Sequence, residues 1–194
     1  MDADGLTMAC ATTAEQRAAR RAGLRAELVG LGAKNGIPNH DIVSFGLAGG
    51  LGDLPSGTVI DATRVVDEEG QVLWEGNPLG VPGARTGTLL GSDRVIDDPA
   101  ERRAARERTG ADAVDLESGV LAASGQLAGC LRAISDTPQR TLHGLCNAVH
   151  EDGRYAWGGL AKAFARAPIG VSRAGADGKR ALDALTRAGE RWAT

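Results

Sequence analysis

Apolar and polar positions along the chain switch between two periods, and the switching sets the expected elements. Residues 6–11 form a continuous apolar run that reads as a first buried strand. Thr12 or Thr13 can cap the helix that follows, with Gln16 three residues after Thr13 as a capping box requires. Residues 14–21 are good helix formers. Residues 28–31 predict a short second strand stopped by Gly32, and 34–40, with Gly36 and Pro38, predict a loop. Residues 41–47 read as a strand that ends in a glycine turn over 48–52, and 58–66 as another strand. The polar, Gly- and Pro-bearing stretch 68–87 reads as a surface excursion, followed by strand-like pieces at 88–90 and 95–96. Asp98-Pro99 supplies an N-cap and a first-turn proline for a helix reaching about Arg108. Residues 113–116 predict a strand entering a helix over 117–127, and 130–134 a strand closed by Ser135-Asp136-Thr137-Pro138. Two helices fill the tail, at 157–166 and 177–192, the second with Leu182, Leu185, Gly189 and Trp192 on one face. Strands alternating with helices imply an α/β sheet covered on both faces.

Composition narrows the picture. A chain of 194 residues with 42% hydrophobic content suits one domain over residues 1–194 with a core that needs no staples. Aromatics are only 3%, so that core is built from Ala, Val, Leu and Ile, and 28 glycines are too many for a helical bundle. A net charge of -3 argues against nucleic acid as the main partner. Arg17, Arg20, Arg21, Arg102, Arg103, Arg106 and Arg108 alternate with Ala and Glu and read as solvated helix faces. Cys10, Cys130 and Cys146 form no CxxC pair and leave one over, so no disulfide framework is expected. Cys10 and Cys130 sit in apolar runs as inert core thiols. With no 18-residue apolar run and no basic start before an apolar stretch, neither a membrane span nor a signal peptide is expected. The expected compartment is the cytoplasm.

Two acidic residues lie beside apolar runs, Glu117 after Ala113-Val114-Asp115-Leu116 and Asp136 after Arg132-Ala133-Ile134-Ser135. A buried carboxylate costs several kcal/mol unless paired, protonated or liganded, which makes both candidates for chemistry. The plainer readings are that Asp136 caps a turn and that the helix dipole holds Glu117. In an open α/β sheet ligands bind beyond the carboxyl ends of strands. That rule adds Glu15 after the first strand, the turn with Ala48 and Gly49, and Ser92 from the Gly91 turn. His40, His143 and His150 have no metal-ligand spacing, and Ser118 and Ser135 lack a nucleophile elbow, so a metal site or an acyl-transfer triad is not expected.

Three motifs then converge on one family. Phe-Gly-Leu-Ala-Gly-Gly-Leu (45–51), Asp-Ala-Val-Asp-Leu-Glu-Ser (112–118) and Arg-Ala-Ile-Ser-Asp (132–136) resemble the purine nucleoside phosphorylase and nucleosidase superfamily. The match includes the methylthioadenosine/S-adenosylhomocysteine nucleosidases. It looks closer to the hopanoid-associated phosphorylase branch, through the run from Gly87 to Ile96 and the arginine-rich helix behind it. The resemblance implies a three-layer α/β sandwich around a mixed, partly closed sheet. It also implies N-glycosidic cleavage of an adenosyl-type nucleoside with no metal or redox cofactor, and a homodimer. Carried over by motif, Asp136 matches the acid at N7 of the leaving purine, and Glu117 the glutamate that grips the ribose hydroxyls. Glu15 falls where nucleosidases orient the attacking water. Leu116, Ala48, Gly49, Ser92, Arg94, Val95 and Ser135 complete the expected substrate contacts. Leu47 replaces a small hydroxylated residue, and Arg94 and Val95 replace an aromatic and an aliphatic residue. The leading expectation is adenine release from adenosylhopane, with a methylthioadenosine/S-adenosylhomocysteine nucleosidase as alternative and a non-catalytic nucleoside binder as another. Phosphate is the favoured co-substrate, reached by Arg94 and Arg17, and water oriented by Glu15 is the competing nucleophile.

Overall fold

The computed structural model describes residues 3–140, 150–154 and 168–194. The first strand, β1 (Thr7–Cys10), is buried throughout and feeds α1 (Thr13–Arg21). The helix is capped one residue earlier than Gln16 suggests. Thr12 is the N-cap and Glu15 the N3 partner, each side chain bonding the other's backbone. The chain continues through β2 (Ala26–Leu28), a 3₁₀ turn (Leu31–Ala33), β3 (Ile42–Gly50), β4 (Val59–Val66), β5 (Val72–Glu75) and β6 (Arg85–Gly91). It ends with α2 (Pro99–Thr109), β7 (Ala113–Asp115), α3 (Ser118–Ala123), β8 (Leu127–Asp136) and α4 (Pro168–Trp192).

The eight strands form one mixed sheet in the order β2-β1-β3-β7-β6-β4-β5. It curls shut because β8 runs parallel to β3 on one side and antiparallel to β4 on the other. Strands β3, β8, β4, β6 and β7 therefore make a closed five-stranded barrel, with β1 and β2 as an arm off β3 and β5 off β4. Helices α1 and α4 cover one face through Ala18, Ala19, Ala181, Leu185 and Ala188 against Met8, Phe45 and Leu131. On the other face Leu121 of α3 packs over Ile60, Leu89 and Ile134. Ala105 of α2 closes over Leu51, Leu90 and Val114. This is the expected mixed, partly closed α/β fold. Cys10 and Cys130 are buried, and burial pushes the Cys130 thiol up to about 12. Both are the expected core thiols.

Several local readings need correction. The predicted turn at 48–52 is strand as far as Gly50, because Gly49 and Gly50 pair with β7 and Ala48 with β8. The stretch 68–87 holds β5 and the start of β6. It is pinned by Asp61, whose carboxylate accepts from the amides of Leu79, Gly80 and Val81. Residues 95–96 form no strand, the helix after Glu117 stops at Ala123, and β8 already begins at Leu127. The last helix starts at Pro168, nine residues before the expected Asp177, and Leu185, Gly189 and Trp192 are buried as predicted. The predicted helix at 157–166, His143 and Cys146 lie outside the described residues. Among the described residues no helix is long and apolar enough to cross a membrane.

Candidate functional site

A cavity of about 500 Å³ opens where β1, β3, β7 and β8 end. Glu15, Ala48, Gly49, Arg94, Val95, Leu116, Glu117, Ser135 and Asp136 all line it, so nine of the ten expected contacts share one space. Ser92 is the exception. It is buried beside the cavity, and its hydroxyl donates to Glu68 Oε1 at 2.8 Å. Helix α4 supplies the facing wall through Ala174, Gly175, Gly178 and Leu182. Leu47, which departs from the family pattern, also lines it.

Each carboxylate is held by elements that its local sequence dictates. Glu15 sits on the first turn of α1. Its Oε2 accepts from the Thr12 amide at 2.7 Å and hydroxyl at 2.9 Å, and its Oε1 accepts from the Leu47 amide at 2.7 Å. The capping box thus aims the same side chain that the family pattern places at the water. Glu117 follows β7, its Oε1 accepting from the Gly32 amide at 3.1 Å and its Oε2 from Arg132 at 3.3 Å. Asp115 shapes the turn between them, accepting from the amides of Glu117 and Ser118 and from the Ser118 hydroxyl at 2.6 Å.

Arg132 ties these groups together from the middle of β8, fully buried. Its Nη2 donates to the Ser44 hydroxyl at 2.6 Å and its Nη1 to the Leu47 carbonyl at 3.3 Å. Its Nε lies 2.8 Å from Asp115 Oδ2 as an ion pair, off the hydrogen-bond direction. Gly46, opposite Arg132 in the register, makes room for both partners. A Cβ there would collide with Glu15 Oε1 and Arg132 Nη1. Burial pushes the Glu117 carboxyl up to about 8. Arg132 opposes that rise, while Asp115 and Glu15 add to it.

Asp136, at the end of β8, is 2% exposed. Its Oδ1 accepts from the Ser135 hydroxyl at 2.6 Å, and its Oδ2 pairs with Arg102 Nη2. Burial raises this carboxyl above its ordinary value, and Arg102 and Ser135 pull it back down. Arg102 overturns the expectation of a solvated helix face. It is 1% exposed, with Nε donating to the Ile96 carbonyl at 2.8 Å and Nη1 to the Gly50 carbonyl at 3.3 Å. Gly49 admits the pair, since a Cβ there would lie 3.2 Å from Arg102 Nη2 and 3.3 Å from Asp136 Oδ2.

Sequence reasoning left Arg102 and Arg132 out of the site. Arg132 was detectable, because a lone cation between Cys130-Leu131 and Ala133-Ile134 in a buried strand demands counter-charge. Arg102 carried little signal beyond lying three residues from Ala105 on the inward side of α2. The expected phosphate ligands are also placed differently. Arg17 is exposed on α1, away from the cavity, and Arg94 is held by Glu101 at 2.6 Å and Glu68 at 3.6 Å.

No protein-family model and no curated protein matches the chain. Solved structures do. The 5′-methylthioadenosine/S-adenosylhomocysteine nucleosidase of S. pneumoniae is similar at 11% identity, over 96% of this chain and 98% of that one, with TM-score 0.60. The Helicobacter pylori nucleosidase with 5′-methylthioadenosine in its active site matches at 12% identity, over 94% and 98%, with TM-score 0.57. Futalosine hydrolase of Helicobacter pylori matches at 13% identity, over 94% and 97%, with TM-score 0.55. The chain therefore has the fold of the nucleoside phosphorylase and nucleosidase superfamily. Two of these neighbours are named as nucleosidases and the third as a hydrolase, and none of the three names refers to hopanoids.

Proposed function

We propose that the chain hydrolyses the N-glycosidic bond of an adenosyl-type purine nucleoside carrying an apolar 5′ substituent. The observation that carries this reading is the convergence of Glu15, Glu117 and Asp136 on one cavity whose remaining walls are largely apolar. Asp136 gives its proton to N7 as the C1′–N9 bond breaks and the bonding pair moves into the base. Such acid help is worth about 10²–10⁴-fold. Glu117 grips the ribose diol, and positioning lowers the barrier further. Glu15 orients a water that adds to C1′ and takes its proton. The products are adenine and a 5′-substituted ribose; Glu15 releases the water's proton to solvent and Asp136 regains one from it.

Water is favoured over phosphate because, among the described residues, each cation lining the cavity already has a carboxylate partner. Arg94 pairs with Glu101 and Glu68, Arg102 with Asp136, and Lys179 with Asp183 at 2.8 Å. A phosphate dianion would also meet Glu15. The nucleosidase names of the structural neighbours agree with hydrolysis. Methylthioadenosine and adenosylhopane both carry apolar 5′ groups. The motif resemblance supports the second and the neighbours' names the first.

A non-catalytic nucleoside binder is the second reading. It is favoured by one observation, that both Asp136 oxygens already have partners within the protein. Adenine release from a panel of adenosyl compounds, with and without phosphate, separates these readings. Hydrolysis predicts free ribosyl product at a rate independent of phosphate, phosphorolysis predicts ribose 1-phosphate, and a binder shows affinity without turnover. In Asp136→Asn, turnover is expected to fall by at least about 100-fold while substrate binding changes little. Retention of most of the parent kcat would remove the acid role. The resemblance further supports a homodimer, which light scattering at micromolar concentration checks.

A further inference from the structure

We propose that Arg102 is a positioning residue that sets when Asp136 carries its proton and stabilises the carboxylate left after that proton has gone. The proposal rests on the glycosidic-cleavage reading for its kinetic consequence, and on the geometry of the pair for its physical one.

Three features make the pair a built arrangement. Arg102 is 1% exposed, and its guanidinium is fixed by the Ile96 and Gly50 carbonyls independently of Asp136. The fork therefore stays in place whatever the protonation state of its partner. Gly49 leaves the space that the pair fills. Ser135 donates to the other oxygen, so the carboxyl is tethered at both oxygens on the wall of the cavity that it lines. Among the described residues the other charges nearby are Asp97, 3.7 Å from Arg102 Nη2, and along the cavity Arg94, Glu15, Asp115, Glu117 and Lys179.

When the Oδ–H bond of Asp136 breaks and N7–H forms, an anion appears on a side chain that is only 2% exposed. A fixed guanidinium stabilises that anion without having to reorganise. The same charge favours the anion before the reaction, so the acid loses its proton at lower pH. Arg102 thus makes Asp136 a stronger acid at the cost of a narrower alkaline range. A leaving group that departs as a stable anion, such as 4-nitrophenolate, needs no proton and should not sense Arg102.

The test compares the wild type with Arg102→Met and Arg102→Lys. The Asp136 carboxyl is followed by ¹³C NMR titration, assigned with Asp136→Asn. In Arg102→Met its pKa should rise by at least about one unit, with Arg102→Lys in between. On an adenosyl nucleoside, the low-pH plateau of kcat should fall at least about tenfold in Arg102→Met, while the alkaline limb of kcat/KM moves to higher pH. On 4-nitrophenyl riboside the two proteins should agree within about twofold. An unmoved Asp136 titration overturns the proposal. Equal losses on both substrates with an unmoved pH limb do the same, since they mark Arg102 as merely structural. A shifted titration in a protein that cleaves neither substrate upholds the pairing and defeats the glycosidic reading instead. Should Arg102→Met not fold, the Arg102→Lys titration alone decides, and no shift there counts against the proposal.

Discussion

One guanidinium and three carboxyl groups meet out of water around Arg132, and the imbalance has a measurable outcome at Glu117. Its carboxyl, raised to about 8, keeps its proton through neutral pH in the folded protein and loses it near pH 4.5 when exposed. The folded state therefore binds more protons than the unfolded one between those values, so this group's contribution is full below pH 4.5 and is lost as pH rises through 8. The stability of wild type minus that of Glu117→Gln should fall across this window by a few kcal/mol, on the order set by the shift. Denaturant midpoints of both proteins at several pH values check this, and a constant difference would contradict it. The same variant should weaken ribosides far more than 2′-deoxyribosides, because a riboside offers the Glu117 side chain two hydroxyls to hold and a 2′-deoxyriboside only one. Truncating the cation, as in Arg132→Met, leaves buried carboxyls without their partner and should cost about 3–5 kcal/mol. Glu117 and Asp136 were legible because each stands beside an apolar run, and Glu15 because it follows a strand end. Arg132 carried a signal in its apolar strand, whereas Arg102 did not, because an arginine in an Ala- and Glu-rich helix looks the same whether it faces water or an acid.

Along β3 the glycines Gly49 and Gly50 read from sequence as a turn, yet they lie within the same strand as Gly46. Their function is to leave space, which a one-dimensional pattern does not distinguish from a bend. Gly46→Ala should destabilise the protein by about 1–3 kcal/mol, as overpacking does, and should lower activity by displacing Glu15. Gly175 on α4 is the counter-case, since a Cβ there meets nothing within 4 Å. Gly175→Ala should stabilise the protein by about 0.5–1 kcal/mol through helix propensity alone. Thermal or denaturant unfolding of the two variants reads out opposite signs. At the start of α1 the sequence leaves both Thr12 and Thr13 open as the cap; the structure uses Thr12 and closes the box with Glu15 in place of Gln16, so the cap and the candidate catalytic glutamate are one unit.

For the molecule as a whole, alternating strands and helices announced an α/β sheet, while barrel closure came only through the family resemblance. Closure depends on β8 being paired on both sides, and local sequence does not encode which distant strands will flank it. Ala133 shows how much rests on this, being opposite Leu47 of β3 and Val59 of β4. Proline there removes a ladder donor from a central strand, so Ala133→Pro should abolish cooperative unfolding as followed by circular dichroism.

The seam also has a consequence in time. Arg132 reaches the Leu47 carbonyl across 85 residues of chain, and the Asp136 acid lies four residues further on. At about 5–20 residues per second, a ribosome that has delivered β3 needs roughly 4–17 s to deliver its partner. Through that interval the nascent chain displays an open strand edge, the kind of surface that invites chaperones or neighbouring chains. The proton donor and the strand that seals the barrel then arrive together, so no shorter translation product carries the assembled acid.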